Sequence, residues 1–310
     1  MFIVEFALLA VGFFLLVKGA DWFVEGASGI ADKFGIPQLV IGLTIVAMGT
    51  SAPEAAVSIT AAFKGTADIT VGNIVGSNIL NVFIILGIAS VITIIAVSET
   101  TVKYEIPFML AITALFGFLG YSDGVISFTD GVILWACFIA YFAYMFVMCK
   151  KGVMETDEII VNSNVPMLLF KGILGLALIV FGSDITVDAA TELAKMFGMS
   201  ERFIGLTIVA LGTSLPELCT SAVAACKGKA DIAIGNIVGS NIFNILFVVG
   251  TSALIIPVAF ASNFVIDCVI TFGSGLLLWL CVFKKRSLER KHGLLMLLCY
   301  CGYFVYLITQ

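Results

Sequence analysis

Two glutamates sit where a glutamate is least at home. Glu54 closes the segment GTSAPE (Gly49 to Glu54) and Glu217 closes GTSLPE (Gly212 to Glu217), each inside a long apolar run. Pro53 and Pro216 lack an N–H and clash with the carbonyl four residues back. Carbonyls near Ala47 to Thr50 and Ala210 to Thr213 are therefore expected to be free and to face a cavity, because broken helix is tolerated at membrane depth only against protein or water. Glu54 and Glu217 read as the only acidic residues deep within apolar runs. An ionisable group there points to function, since burying it unpaired is costly. The plain alternative is a structural pair with Lys or Arg, but no basic residue lies in the same half-helices, and Lys18 and Lys171 fall nearer one end.

The neighbours of the glutamates are oxygen-rich. GNIVGSNILN (Gly72 to Asn81) and GNIVGSNIFN (Gly235 to Asn244) place Asn73, Ser77 and Asn81, and likewise Asn236, Ser240 and Asn244, four residues apart on one helix face. Thr50, Glu54 and Ser58 form a similar stripe. A set of oxygens without thiolate or imidazole suits a hard cation such as Ca2+, Na+ or K+. Interhelical hydrogen bonding is the plainer reading of the Ser and Asn stripes. Gly72-x-x-x-Gly76 and Gly235-x-x-x-Gly239 permit close helix packing.

The elements that hold these residues dominate the chain. It has 310 residues, 61% hydrophobic and 12% charged, with mean hydropathy +1.14. A soluble domain carries about 25% charged residues. The composition excludes a soluble globular protein, a disordered chain and a nucleic-acid binder. Ten apolar segments read as helices, near 2–20, 38–63, 69–95, 105–120, 128–149, 165–182, 203–226, 232–257, 264–283 and 293–309. The polar stretch 150–164 separates five from five. The expected fold is an all-α membrane protein, with a first repeat over 1–150, a cytoplasmic linker over 151–164 and a second repeat over 165–310.

The halves are copies. Residues 41–87 and 204–250 align at a constant offset of 163 without a gap, with about 30 of 47 positions identical. The same offset pairs Gly19 with Gly182, Asp21 with Asp184, and Phe34-Gly35 with Phe197-Gly198. An odd number of spans per half makes this an inverted-topology repeat, common in secondary transporters. Loops after odd-numbered segments hold twelve Lys and Arg, from Lys18 and Lys33 to Arg290 and Lys291. The other side holds Lys64, Lys195 and Arg202. This bias places the first loop in the cytoplasm and both termini outside.

Other polar residues read more blandly. Eight scattered cysteines contain no CxxC pair and read as small apolar residues. His292, the single histidine, sits in a basic run and cannot build a typical zinc site. The N-terminus lacks the charged start of a secretory signal and reads as the first span. Asp68 and Asp231 are expected as helix caps. Asp21, Glu25, Asp184 and Asp188 are expected at helix ends, with a part in drawing cations to the mouth.

GTSxPE followed by GNIVGSNxxN, twice in inverted halves, resembles the alpha-repeats of the calcium/cation antiporter superfamily, which includes prokaryotic sodium/calcium exchangers. The resemblance implies ten helices, a core built from the second, third, seventh and eighth, and first and sixth helices that slide across it. It implies that Glu54 and Glu217 bind calcium with the carbonyls of Thr50 and Thr213. It also implies sodium sites shared among the Ala47 and Ala210 carbonyls, Ser51, Ser77, Ser214, Ser240 and the glutamates, with Asn81 and Asn244 in the middle. Potassium-dependent relatives carry Asp at one of these Asn positions, and this chain carries Asn at both. The large cytoplasmic calcium-sensing loop of animal exchangers is absent.

The expected activity is secondary active antiport of Ca2+ against Na+ across the plasma or inner membrane, with no cofactor and no enzymatic step. One Ca2+, two Na+ or two protons would neutralise the glutamate pair, while an empty, doubly charged site is costly to dehydrate. The counter-ion stays open between Na+, H+ and K+. Partners are the bilayer and the transported ions, with no nucleic acid and no identifiable protein. An intramembrane aspartyl protease, which would use two buried acids on water, lacks its Asp-containing motif here. A passive cation channel is the third alternative.

Overall fold

The computed structural model describes residues 2–151, 164–198, 210–262 and 264–309. Apolar sequence with few helix breakers folds into long helices: α1 (Phe2–Phe34), α2 (Gln38–Thr50), α3 (Ala52–Phe63), α4 (Ile69–Ile92), α5 (Thr101–Asp123), α6 (Phe128–Lys151), α7 (Val165–Met196), α8 (Leu215–Cys226), α9 (Ala230–Ile255), α10 (Phe264–Phe283) and α11 (Arg290–Thr309). Among the described residues seven are long and apolar enough to cross a membrane, or eight if α2 and α3, bent by 51° at Ser51, count as one. Large apolar side chains such as Ile3, Phe14, Phe63 and Ile173 stand exposed around the outside. On a soluble protein that surface would aggregate, whereas in a bilayer it is solvated by lipid.

Burial separates the centre from the periphery. The most apolar stretch of α9 is 94% buried and that of α4 78%, against 17% for α1 and 22% for α7. The two inner helices pack through small residues. A Cβ on Gly239 would lie 2.5 Å from the Leu43 carbonyl oxygen, and one on Gly235 3.0 Å from the Leu43 nitrogen, so both glycines let α9 press on the α2 backbone. By the offset of 163, the partner stretch for Gly72 and Gly76 lies around residue 206, outside the described residues.

α1 and α7 pack against each other along most of their length, with Gly19 facing Gly175 and Gly12 facing Gly182. Both are longer than the segments 2–20 and 165–182. The charges that suggested an ending are paired instead. Lys18 bonds Asp21 at 3.0 Å within α1, and Lys171 of α7 bonds Glu25 of α1 at 2.5 Å. Asp21, Glu25, Asp184 and Asp188 thus lie in helix interiors, and Lys18 is not a loop residue.

Two short ladders close the ends of the bundle. β1 (Ile95–Ala96) pairs antiparallel with β4 (Ser287–Leu288), and β2 (Val125–Ile126) with β3 (Val258–Ala259). The offset of 163 carries β1 onto β3 and β2 to within one residue of β4, so one ladder is the copy of the other. These two-residue ladders leave the expected all-α class standing. The expected caps also shift: α9 has Lys229 at its N-cap and Asp231 in its first turn, and the helix that Asp68 opens has Ala67 at its N-cap, neither with a side-chain capping bond. Arg202 and residues 203–209 of the seventh candidate segment lie outside the described residues, as does most of the 151–164 linker.

Candidate cation site

The breaks do what proline dictates locally. Pro53 and Pro216 stand in the first turn of α3 and α8, where a missing N–H costs nothing. The backbone departs from helical angles at Ser51 (φ −81°, ψ 10°) and at Ser214 (φ −91°, ψ 2°). Each glutamate follows its proline, and its own backbone N–H turns to its carboxyl group. Both side chains are fully buried and close enough for their charges to repel. They point at each other's surroundings and away from lipid.

The two halves wall the pair together. Ser51 donates to Glu217 Oε1 at 2.8 Å, and Ser77 donates to Glu54 Oε1 at 3.3 Å. Ser77 and Ser214 share a 3.2 Å hydrogen bond, Thr213 lies beside Glu54, and Thr50 lies beside Glu217. Ser240 donates to the Ala47 carbonyl at 3.4 Å. That carbonyl also takes the Ser51 N–H at 3.0 Å and the Thr50 hydroxyl at 3.3 Å, so it is not the free oxygen expected from the proline. Ala210 is the first residue of the described turn Ala210–Gly212.

Four asparagines meet between α4 and α9, just after Ser77 and Ser240 in sequence. Asn81 donates to Asn241 Oδ1 at 2.9 Å and Asn244 to Asn78 Oδ1 at 3.1 Å. Four oxygens in this centre have no hydrogen-bond partner among the described residues: Glu54 Oε2, Glu217 Oε2, Asn81 Oδ1 and Asn244 Oδ1. A buried acceptor left bare costs about 1–3 kcal/mol, more when charged. The four are two carboxylate and two amide oxygens, the donor types that a hard cation prefers. Asn73 and Asn236, on the same stripes, bond Ser58 and Ser221 at 2.9 Å each and brace the helices instead.

Access to this centre is unequal. A cleft of about 590 Å3 between α3 and α7 reaches Thr213, lined by Pro53, Ala56, Ser183, Asp184 and Asp188. The offset maps Ala56 to Cys219, Pro53 to Pro216 and Thr213 to Thr50. Ala56 is exposed and Cys219 half-buried, while Pro216 and Thr50 are buried. On that shut side Lys227 reaches Asp21 Oδ1 at 2.5 Å and its carbonyl at 3.1 Å, joining the turn after α8 to α1. Among the described residues Lys64, the counterpart of Lys227, makes no such pair with Asp184.

The sodium/calcium exchanger protein family matches residues 4–147 and 167–309. The chain belongs to that family. CaxA of Alkalimonas amylolytica is 40% identical over 305 residues, covering 94% of this chain and 95% of its own. The sodium/calcium exchanger MaX1 of Methanosarcina acetivorans is 32% identical with 99% of each chain covered. The solved structure of the sodium-calcium exchanger NCX_Mj soaked with zero Na+ and Ca2+ superimposes with a TM-score of 0.86 at 32% identity, over 99% of this chain and 100% of that one. The chain is thus a multi-pass membrane protein of an exchanger family, whose business is ion transport with calcium among the ions.

For an exchanger-family chain, reading its sequence by stripes passes over two kinds of residue. Asn78 and Asn241 lie off the four-residue stripes, although both copies carry them at the same offset. Glu105 of α5 is a third buried carboxylate, 1% exposed, with Tyr144 donating to it at 2.7 Å. Its place at a segment boundary hid it.

Proposed function

We propose that the chain exchanges Ca2+ for Na+ by alternating access. Its two inverted five-helix halves, 1–150 and 165–310, share one site between Glu54 and Glu217. The observation that carries this reading is the set of four bare, buried oxygens contributed equally by both halves. The carboxylates supply two negative charges, which one Ca2+ or two Na+ cancel. A cancelled site can be sealed from water, whereas a bare one is expensive to dehydrate, so return travel needs a replacement ion. Ser51, Ser77, Ser214, Ser240, Thr50 and Thr213 complete the ion shell with their hydroxyls or carbonyls, and the Ala47 and Ala210 carbonyls lie at its edges.

The two copied ladders support the inverted arrangement, since each ties together loops that the lysine bias puts on one side. In that frame both termini are extracytoplasmic, the Lys227 side is cytoplasmic and the Asp184 cleft opens outward, in the cell or inner membrane. The deciding experiment is calcium uptake into vesicles reconstituted with the full chain and loaded with sodium. Uptake that collapses with the sodium gradient supports the exchange. Uptake that follows a pH gradient or external potassium and ignores sodium replaces Na+ by H+ or K+ as the counter-ion.

A further inference from the structure

We infer that Asn78 and Asn241 are positioning residues: a reciprocal amide clasp between them turns the oxygens, and not the NH2 groups, of Asn81 and Asn244 toward the transported ions. The inference rests on the reading that the bare central oxygens face those ions.

A carboxamide has two ends of nearly equal shape and opposite character. The oxygen attracts a cation, and the NH2 group repels it. Turning an asparagine through half a revolution converts a ligand into a barrier without moving its backbone. Something must therefore fix the orientation of Asn81 and Asn244, and neither can do so alone.

The structure supplies a chain of fixed points. The Asn78 amide donates to the Asn241 carbonyl at 3.3 Å, and the Asn241 amide donates to the Asn78 carbonyl at 3.2 Å. A backbone carbonyl cannot turn round, so each clasp residue has its NH2 end defined and its Oδ1 end held opposite. Those Oδ1 atoms then accept the NH2 groups of Asn244 and Asn81 at 3.1 and 2.9 Å. With their nitrogens held on the clasp, Asn81 and Asn244 turn their oxygens the opposite way. Both oxygens are indeed buried and without a partner.

Local backbone geometry makes the clasp possible. α4 widens to a π-helical turn over Asn81–Leu86 and α9 over Asn244–Val249, at the same offset of 163. Such turns disturb the regular ladder and recur at functional sites. Here each begins at the ligand asparagine, three residues after the clasp asparagine whose carbonyl accepts across the interface. The clasp runs between halves: α9 sets Asn81 of α4, and α4 sets Asn244 of α9.

A double-mutant cycle on the reconstituted full chain tests this. Asn241→Leu should raise the KM for Ca2+ about tenfold, the scale of one hydrogen bond's worth of orientation, with maximal rate nearly unchanged. Asn81→Ala should raise it similarly, and the double variant should be no worse than Asn81→Ala alone, since Asn241 acts through Asn81. Effects that multiply to about a hundredfold overturn the inference. So does an Asn241→Leu variant that loses thermal stability while its KM stays at the starting value. If Asn241→Leu fails to reach the membrane folded, Asn241→Ser carries the same cycle with the same outcomes. Glu54→Gln is run alongside: calcium uptake intact in that variant defeats the site itself, whereas a lost uptake with an additive cycle defeats only the clasp.

Discussion

The Ser51 hydroxyl donates a 2.8 Å hydrogen bond to Glu217 of the other half, but its repeat counterpart Ser214 makes no such bond to Glu54 and joins Ser77 instead. The two carboxylates are therefore held unequally within a centre whose sequence is almost symmetric. A hydrogen bond to a charged group contributes about 1.5–3 kcal/mol. Ser51→Ala should raise the KM for Ca2+ by about tenfold or more, and Ser214→Ala by about threefold or less, in initial rates of vesicle uptake. Equal effects would show that the inequality is not felt by the ion.

Charge cancellation makes a starker prediction for the glutamates. Glu54→Gln or Glu217→Gln leaves one negative charge against a divalent ion and replaces a bare oxygen by an amide. Sodium-driven calcium uptake should fall at least about a hundredfold in either variant. Purified protein should keep its fold, because an uncharged amide is cheaper to bury than a carboxylate. Uptake within tenfold of the unaltered chain in both would remove the pair from the ion path.

The centre was legible in the sequence because duplication marks it. A glutamate after a proline in an apolar run is conspicuous once and unmistakable twice at one offset, and Ser77, Ser240, Asn81 and Asn244 came with it. The engagement of the Ala47 carbonyl was not legible, since the hydroxyls that cap it come from Thr50 on the same turn and Ser240 across the interface. Helix lengths failed for a related reason. Lys18, Asp21 and Glu25 look like an ending when counted singly, yet Asp21 and Glu25 pair with Lys227 and Lys171 from distant sequence. Asn78 and Asn241 escaped because each stands one residue past the striped serine, and the partner that gives it meaning lies on the other half's helix.

Close approach of α1 and α7 makes their glycines sensitive. A Cβ on Gly19 would lie 2.7 Å from the Gly175 carbonyl oxygen, and one on Gly175 would lie 2.5 Å from the Phe23 nitrogen. Gly175→Val must spread the pair, at a cost of about 1–3 kcal/mol typical of overpacking. The expected result is a lowered melting temperature in detergent and slower uptake with little change in KM. An unchanged melting temperature and rate would mean that the pair separates freely.

Lys227 and Asp21 give a native reporter of the shut side. Cys219 occupies the place that Ala56 holds in the open cleft, and it is half-buried. With the other seven cysteines replaced by serine or alanine, Lys227→Met should speed modification of Cys219 by a water-soluble thiol reagent about threefold, consistent with the ~0–1 kcal/mol of a partly exposed ion pair. Modification at the original rate would show that the pair does not restrain the mouth.

That single ion pair also has a bearing on energetics at rest. If the halves exchange access as proposed, near-identical sequence gives little reason to favour one orientation over its mirror, and unequal entrances supply one. An ion pair from Lys227 on one rim, with no matching Lys64–Asp184 pair among the described residues on the other, would act as a small counterweight under the proposed exchange, so the preferred waiting posture would be written into the entrances and could be retuned without touching the centre.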